Sequence, residues 1–595
     1  MGQRGDESQV VYVDGDIPQL PLQLGQLLVD SSLISPGTTN LQQCTSQSPL
    51  IYEPIQSGYP ATPAGAVPDG NGSGGGTNNA AALQAWLDAH PGELVMLPAG
   101  IYRCDIGLTV PADTFILMEG ATIDFTNTSN EKGLIFTDGG GTSGGKVTGP
   151  TSGFNAGQMG ISCQGTNNAP AAPTYVTGPD IEGTEIANWG QYGCYWAYCN
   201  APTMDHAWIH DIGYAGSGGV SCNDGTLTNS LVEDIGPGTD DDAYGVFWDR
   251  LEGTETADPR SYRCGGFGNR FRNIISGTGT NGQAMDSHAG VDITYAYNFV
   301  DNCNVGCAFV GSDVNGVPTL APIRCQEYGN TYNLASSEGY GVIVAGPYDS
   351  GVLQAYAEDC VVGPSIMEGG GIAGDASVGA YHLQATKNCT VKIGTIKNPR
   401  CNGVLLLLDN IGFNVSGGAI LDPYDDAVTT AACVAVRGNN NQGYIGGTTF
   451  QYSNAALGTY VAVHSIRVSA GLTGLSIDLG RCSFVGIDAS HLSYSADTAT
   501  GMNPSGLYGE TNRATFTLTS GNASTTQSVS FGKRFPHASA RISLQVAGAI
   551  APGGKTNALR TSNVTATGFD IIAYPTDLTT WSATAALDVD WSAAT

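Results

Sequence analysis

An Asp or Asn followed by an apolar residue or cysteine recurs along the middle of the chain, as Asp211-Ile212, Asp234-Ile235, Asn273-Ile274, Asn302-Cys303, Asp359-Cys360 and Asn388-Cys389. The intervals are 23, 39, 29, 57 and 29 residues. They describe a unit of about 23 to 29 residues, with one insertion at the 39-residue step and one double step at 57. A lone unit of this kind has an apolar face and nothing to bury it against, so it is stable only when stacked on its neighbours. The chain is therefore expected to form a solenoid, with Cys303, Cys360 and Cys389 stacked at equivalent inward positions.

Composition agrees with short strands and tight turns. Glycine fills 84 of 595 positions, about twice its usual share of ~7%, which argues against a helical protein. Aliphatic, aromatic and cysteine residues make up 41%, enough for a core. No run approaches the ~18 apolar residues of a membrane helix, so membrane insertion is not expected. The balance of 23 basic against 53 acidic residues, a formal charge of −30, repels nucleic acid and anionic lipid. The opening MGQRGDESQVVYVDGD lacks the basic and apolar regions of a secretory leader. Fifteen cysteines without CxxC pairs or zinc-site spacing suit buried free thiols, and neither a structural metal nor a cofactor is expected.

Residues 1 to 65 are punctuated by Pro18, Pro21, Pro36, Pro49, Pro54, Pro60 and Pro63, and read as a strand-poor extended arm. A Gly/Asn run from Asp69 to Asn79 leads into AAALQAWLDAH. Leu83, Trp86 and Leu87 there have helical spacing, and Asn78 or Asn79 can cap the N-terminus. Strand-like runs follow at Leu94 to Leu97, Gly100 to Tyr102, Leu108 to Val110 and Phe115 to Met118. The passage TNNAAALQAWLDAHPGELVMLPAGIYRCDIGLTVPADTFILMEGATIDF resembles the opening of the pectate-lyase-like right-handed parallel β-helices, above all those of bacteriophage tailspikes. In those a capping helix precedes a Leu-Pro-Ala-Gly-x-Tyr rung, matched here by Leu97 to Tyr102. The resemblance covers about fifty residues and speaks to fold more than to reaction.

It implies an all-β chain with three parts: an N-terminal virion-attachment arm over 1–65, a parallel β-helix with its capping helix over 66–507, and a C-terminal β-sandwich over 508–595. The last part alternates at Phe516 to Leu518, Val529 to Phe531, Ile542 to Val546, Phe569 to Ile571 and Leu587 to Trp591. It is similar to the small sandwich of H-type lectins, which also serves as a trimerising or sugar-binding tip on phage fibres. Capping the solenoid is the alternative role.

Candidate chemistry sits in the middle coils. No Lys or Arg occurs from Val147 to Asp249, and then Arg250, Arg260, Arg263, Arg270 and Arg272 follow within 23 residues. They fall within the 39-residue step and so suggest a protruding loop. Arginines there, with Arg260 and Arg263 as substrate-binding candidates, suggest a carboxylate or sulfate on the ligand, or else surface pairs with nearby acids. Four of seven tryptophans lie between Trp189 and Trp248, interleaved with Tyr192, Tyr195, Tyr198, Tyr214 and Tyr244. Trp248 and Tyr244 are candidates for packing on sugar faces; inward stacking is the competing reading. Catalytic candidates are Asp240 and Asp241, about one coil after His206 to Asp211, together with Asp286 and His288. Carboxylates on neighbouring coils, ~4.8 Å apart, meet the ~5 to 9.5 Å separation of glycoside hydrolysis. Polygalacturonase-like enzymes use an aspartate pair and a Gly-His-Gly turn, which Asp240-Asp241 and Ser287-His288-Ala289 resemble loosely. Asp240 to Asp242 also suit a calcium site or a solvated turn. Elimination is the other chemistry open to the region, with His288 or a tyrosine as base and Arg260 or Arg263 against the enolate.

GxGxxG at Gly277 to Gly282 has no helix after it, and Arg4-Gly5-Asp6 lies in the arm; neither carries a function. The tailspike resemblance implies a homotrimer on the virion tail, extracellular after lysis, with tail or baseplate proteins at the arm and a host surface polysaccharide as ligand and substrate. A non-enzymatic receptor-binding fibre and a secreted pectinase-like enzyme are the alternatives.

Overall fold

Among the described residues, strands of two to ten residues, separated by Gly, Asn and Asp turns, make up nearly all of the regular structure. The protein is seen in a computed structural model. It describes residues 10–13, 27–30, 41–47, 50–54, 63–128, 132–150, 153–168, 171–236, 243–250, 260–276, 282–314, 317–334, 339–370, 378–400, 402–425, 432–451, 460–461, 464–469, 471–485, 492–496, 502–503, 510–518, 524–530, 541–546, 557–564, 568–575 and 585–594. Two compact units divide at residue 64. In the first, Val10–Val13, Leu27–Asp30, Leu41–Gln47 and Leu50–Pro54 form a four-stranded sheet in chain order. The sequence reads as strand-poor here; the aliphatic runs between the prolines carry enough strand propensity to pair.

The second unit begins with the helix Ala80–Asp88, whose Leu83, Trp86 and Leu87 are buried. Asn79 holds the N-cap position without a side-chain cap bond, and Asn78 before it accepts from the Ala80 N–H at 3.1 Å. Asn79 instead accepts from the Val67 N–H at 2.6 Å, tying the preceding segment down. From Leu94 onward each coil lays one strand in each of three parallel ladders. Leu108–Val110 lies in sheet 1, Phe115–Leu117 in sheet 2 and Ala121–Asp124 in sheet 3. Lys132–Phe136 then returns to pair with Leu108–Val110. Sheets 1 and 3 have fourteen strands each. This is a nearly all-β chain of long parallel sheets, consistent with a right-handed parallel β-helix, the hand that parallel crossovers favour. In sheet 3, Glu185, Trp208, Leu231, Arg270, Phe299 and Thr331 are successive partners, so the coils measure 23, 23, 39, 29 and 32 residues.

The Asp/Asn repeat has a backbone cause. Asp211, Asp234, Asn273, Asn302, Asp359 and Asn388 all adopt left-handed backbone, with φ between 53° and 57°, a conformation that short polar side chains tolerate best. They belong to two ladders rather than one. Asn273 Nδ2 donates to Asp234 Oδ1 at 2.9 Å and Asn302 Nδ2 to Asn273 Oδ1 at 2.7 Å, at the corner between sheets 3 and 1. Asn388 Nδ2 donates to Asp359 Oδ1 at 3.2 Å at a second corner, on sheet 2. The 57-residue interval is thus a change of corner, not a double step. Cys303 accordingly does not stack with Cys360 and Cys389. Cys325, Cys360 and Cys389 are the neighbours, each one residue before the register pairs Gln326↔Val361 and Val361↔Thr390. Among the described residues, thirteen cysteines between Cys104 and Cys482 are buried and form no disulfide.

The glycine content has a packing cause in sheet 1. Gly133, Gly160, Gly193, Gly216 and Gly245 occupy one inward column that continues through Ala284, Gly306 and Gly341. A Cβ at Gly306 would stand 2.5 Å from both the Tyr332 ring and the Gly341 carbonyl oxygen. At the glycines, core side chains come up to the backbone of sheet 1 and leave room for hydrogen alone, whereas Ala284 finds space for a methyl. Gly306→Val is expected to destabilise the chain by ~3 kcal/mol or more, since backbone must move; a thermal-melting scan against wild type checks it.

Toward the C-terminus, two three-stranded antiparallel sheets form. One pairs Glu510–Leu518, Ala585–Ala594 and Arg541–Val546, the other Thr525–Ser530, Gly568–Pro575 and Asn557–Ser562. Phe569, Ile571 and Ala573 alternate into a buried face.

Candidate functional site

Sheet 1 presents its outward residues in three columns. The first runs Tyr192, Ala215, Tyr244, Gln283 and Val305, the second Tyr195, Gly218, Phe247, Asp286 and Ala308. The third runs Ala197, Val220 and Asp249, then His288 and Val310. Gly245 and Val246 both face inward, which offsets the simple alternation and lets Tyr244, Phe247 and Asp249 share the outer face of one strand, Ala243–Asp249.

At the end of that face three titratable groups meet. His288 Nε2 stands 2.6 Å from Asp286 Oδ2, and His288 Nδ1 stands 3.6 Å from Asp249 Oδ2. Side-chain exposure is 0% for Asp286, 20% for His288 and 15% for Asp249. Asp286 therefore lies on the outer face of sheet 1 but behind His288, not in contact with solvent. Adjacent groups hold the three in place. Asp249 Oδ1 accepts from the Arg250 N–H at 2.5 Å, and Ser261 Oγ donates to the Asp249 carbonyl at 2.7 Å. The Tyr295 hydroxyl, inside the coil, donates to the Asp286 carbonyl. The Tyr244 ring meets the imidazole edge-on at 6.1 Å.

This arrangement can carry protons. Asp286 stands against one imidazole nitrogen at ion-pair distance but outside hydrogen-bond geometry, so its charge favours the protonated ring, and the other nitrogen is left toward Asp249 and the open face.

Aromatic rings lead up to this centre. Phe154, 51% exposed, meets the Tyr214 ring at 6.0 Å; Tyr214 meets Tyr192 at 5.6 Å and Tyr244 at 5.8 Å; Tyr192 meets Tyr195 at 4.7 Å. Tyr192, Tyr195 and Tyr214 are half-buried, whereas Tyr244 and Phe247, on the same outward face, are buried. A Cβ at Gly218 would strike the Phe247 ring at 2.3 Å, so that glycine makes room for the layer. Burial raises the phenol pKa values of Tyr192 and Tyr195, and the charge of Asp249 adds to it. These hydroxyls stay protonated and act as donors.

Of the sequence candidates, Asp286 and His288 are brought together, with Tyr244 against the ring. Asp240 and Asp241 lie outside the described residues. Trp248 is not a sugar platform: it is buried in the coil with Trp189 and Trp196, because its position in the strand points inward, over Gly219 and Gly225. The arginines do not share one loop. Arg263 sits at the corner before sheet 2 and pairs with Asp224 at 2.7 Å. Arg270 and Arg272 belong to the strand Arg270–Ile274, where Arg272 pairs with Glu233 and Arg270 lies 5.4 Å from the Phe299 ring centroid. Arg250 is buried, and Arg260 is half-buried with Nη1 3.4 Å from the Ala321 carbonyl. His210 lies on sheet 3, 3.1 Å from Glu185 and 2.7 Å from Asp211, with Trp208 stacked on it at 4.2 Å. Asp249 is the residue that sequence reading missed. Its signal is the coil step, since it precedes His288 by the same 39 residues that separate Leu231 from Arg270.

Three parallel ladders and an outward Asp-His-Asp group beside aromatic rings define a β-helix protein with a candidate acid–base site on one sheet. No protein-family model and no curated protein matches the chain. Phage tailspikes recur among similar solved structures. The tailspike protein gp49 of Pseudomonas phage LKA1 is 14% identical, over 89% of this chain and 99% of that one, with a TM-score of 0.43. The catalytic unit of a GH87 alpha-1,3-glucanase from Streptomyces thermodiastaticus is 14% identical over 73% and 72%, at 0.39. A mutant tailspike of E. coli bacteriophage HK620, in complex with pentasaccharide, is 11% identical over 90% and 92%, at 0.38. The fold assignment rests on this chain's own ladders.

Proposed function

We propose that the chain is a phage tailspike receptor-binding protein that recognises a host surface polysaccharide and cleaves it by hydrolysis. The observation that carries the reading is the Asp286, His288 and Asp249 group at the end of an aromatic path on one outward face. Asp249 and His288 face the glycan and exchange protons with the glycosidic oxygen and the attacking water; Asp286 positions His288. Hydrolysis is preferred to elimination because Arg263, one of the two arginines set against an enolate, is already paired with Asp224; elimination with His288 as base is the alternative, the raised phenol pKa values leaving Tyr192 and Tyr195 the poorer bases. In this reading the protein is a homotrimer on the virion tail, attached through residues 1–65 and capped or trimerised by 508–595.

Incubation with surface polysaccharides of candidate hosts tests it. Polymer size should fall, reducing ends should rise, and no unsaturated-uronate absorbance should develop. New ultraviolet absorbance would move the chemistry to a lyase. A polymer that is bound but never shortened would favour the non-enzymatic fibre, a reading that the full burial of Asp286 supports. Light scattering should give three times the monomer mass, and a monomer would reject the trimer.

A further inference from the structure

We infer that sheet 3 is the surface through which copies of this chain associate side by side. This rests on the trimer proposed above and assigns it a face. Exposed large apolar side chains are unevenly placed among the described residues. Trp208, Phe299, Ile366 and Val485 stand on strands of sheet 3, and Tyr297 and Ile275 flank its strands at the two corners. Among the described residues, the strands of sheet 2 carry Tyr444 alone and those of sheet 1 carry none. Single exposed apolar side chains are ordinary on a protein surface, whereas an aligned row of them marks an interaction site. Trp208, Phe299 and Ile366 share one row, whose successive register partners are Trp208, Leu231, Arg270, Phe299, Thr331 and Ile366. Five coil steps of ~4.8 Å make this row about 24 Å long, parallel to the solenoid axis. The Trp208 ring is already fixed, stacked on His210 at 4.2 Å with its indole N–H donating to Glu233 at 3.0 Å. Association therefore orders little that is loose.

Charge on this face selects a second copy as the occupant. Two chains with a formal charge of −30 each repel wherever acidic surfaces meet. On the two outward rows of sheet 3, between Lys146 and Lys397, the signs balance. Lys146 pairs with Glu185, and Arg272 with Glu233. Arg270 and Lys397 on one side, Asp301 and Glu368 on the other, make no ion pair with any described residue. Asp301 lies one coil beyond Arg270, and Lys397 one coil beyond Glu368. A parallel copy at the same height brings the unpaired cations of one chain within reach of the unpaired anions of the other, with no net repulsion between the rows. A glycan would meet Leu231 and Ile366 in this row, which neither stack on a sugar ring nor bond its hydroxyls. Three copies around an axis parallel to the solenoid, each with sheet 3 turned inward, bury the row on every chain and leave sheet 1 to the polysaccharide.

The mass of the full chain in solution tests this. In light scattering at micromolar concentration, Phe299→Asp combined with Ile366→Asp should run as a monomer, at one third of the wild-type mass, with an unchanged far-ultraviolet circular dichroism spectrum. Tyr444→Asp, the same change on sheet 2, should keep the trimer. Arg270→Glu alters only an exposed charge and should weaken assembly at least tenfold, so it carries the test if the double variant unfolds. A trimer that survives both the double variant and Arg270→Glu would overturn the assignment of sheet 3. An intact trimer that has lost polysaccharide binding would overturn it too, and would make sheet 3 the glycan face. A monomeric wild-type chain would reject the trimer itself, and this surface with it.

Discussion

Asp249→Asn is expected to lower turnover of the polysaccharide by at least ~10² while sparing its binding. The amide keeps the shape of the carboxylate yet can neither take nor deliver a proton in the transition state. Asp249 is the partly exposed carboxylate of the group, 3.6 Å from His288 Nδ1, so its replacement removes the negative charge beside the imidazole. Asp286→Asn is expected to cost ~10² to 10⁴ by a different route. Its oxygen lies 2.6 Å from His288 Nε2, and an amide in its place removes the negative charge that stabilises the imidazolium formed during turnover. Initial rates of reducing-end release, with affinity measured separately on the same polymer, check both. Wild-type turnover in Asp249→Asn would move the chemistry off this face.

A second large effect is expected inside the coil, at Glu327. Its Oε1 accepts from Ser365 Oγ at 2.5 Å, Asn330 Nδ2 at 2.7 Å and the Tyr332 hydroxyl at 2.9 Å, and its Oε2 accepts from the Gly363 N–H at 2.8 Å. Glu327→Ala would strand four buried donors, for which a loss of ~3 to 5 kcal/mol is expected in denaturation. Burial raises the carboxyl pKa above the usual range, and the four donors only partly offset this. In the window between the unfolded and the raised folded pKa, the folded state holds the extra proton, so stability falls as pH rises through it. Wild type should therefore lose stability relative to Glu327→Gln as pH is raised from the ordinary carboxylate range toward neutrality. Parallel pH dependence in the two proteins would contradict this.

The solenoid was legible in the sequence because its corners impose a residue type: left-handed φ favours Asp and Asn, and Asp234, Asn273 and Asn302 recur for that reason. What stayed hidden was which corner each residue occupies. Asp359 and Asn388 satisfy the same backbone demand at another corner, so residue type alone merged two ladders into one. The site was legible by halves. Asp286 and His288 are two residues apart in one strand and share a face, whereas Asp249 joins them only through a coil-to-coil pairing that spans an insertion. Aromatic residues were visible as a group but not by face. The two inward positions at Gly245 and Val246 decide that Tyr244 points out and Trp248 in, and no composition signal carries that offset. The arginines gave a misleading picture because nearness in sequence is not nearness in a β-helix: Arg263 and Arg272 lie at different places on one coil, each beside the acid of the preceding coil.

The central claim is that the outer face of sheet 1 holds the glycan across Asp249 and His288. A structure of the full chain carrying Asp249→Asn, soaked with oligosaccharides cut from the polymer it binds, tests this most directly. Sugar rings should lie over Tyr192 and Tyr214, with a glycosidic oxygen within hydrogen-bond reach of His288. Sugar density confined to sheet 3, beside Trp208 and His210, would contradict it.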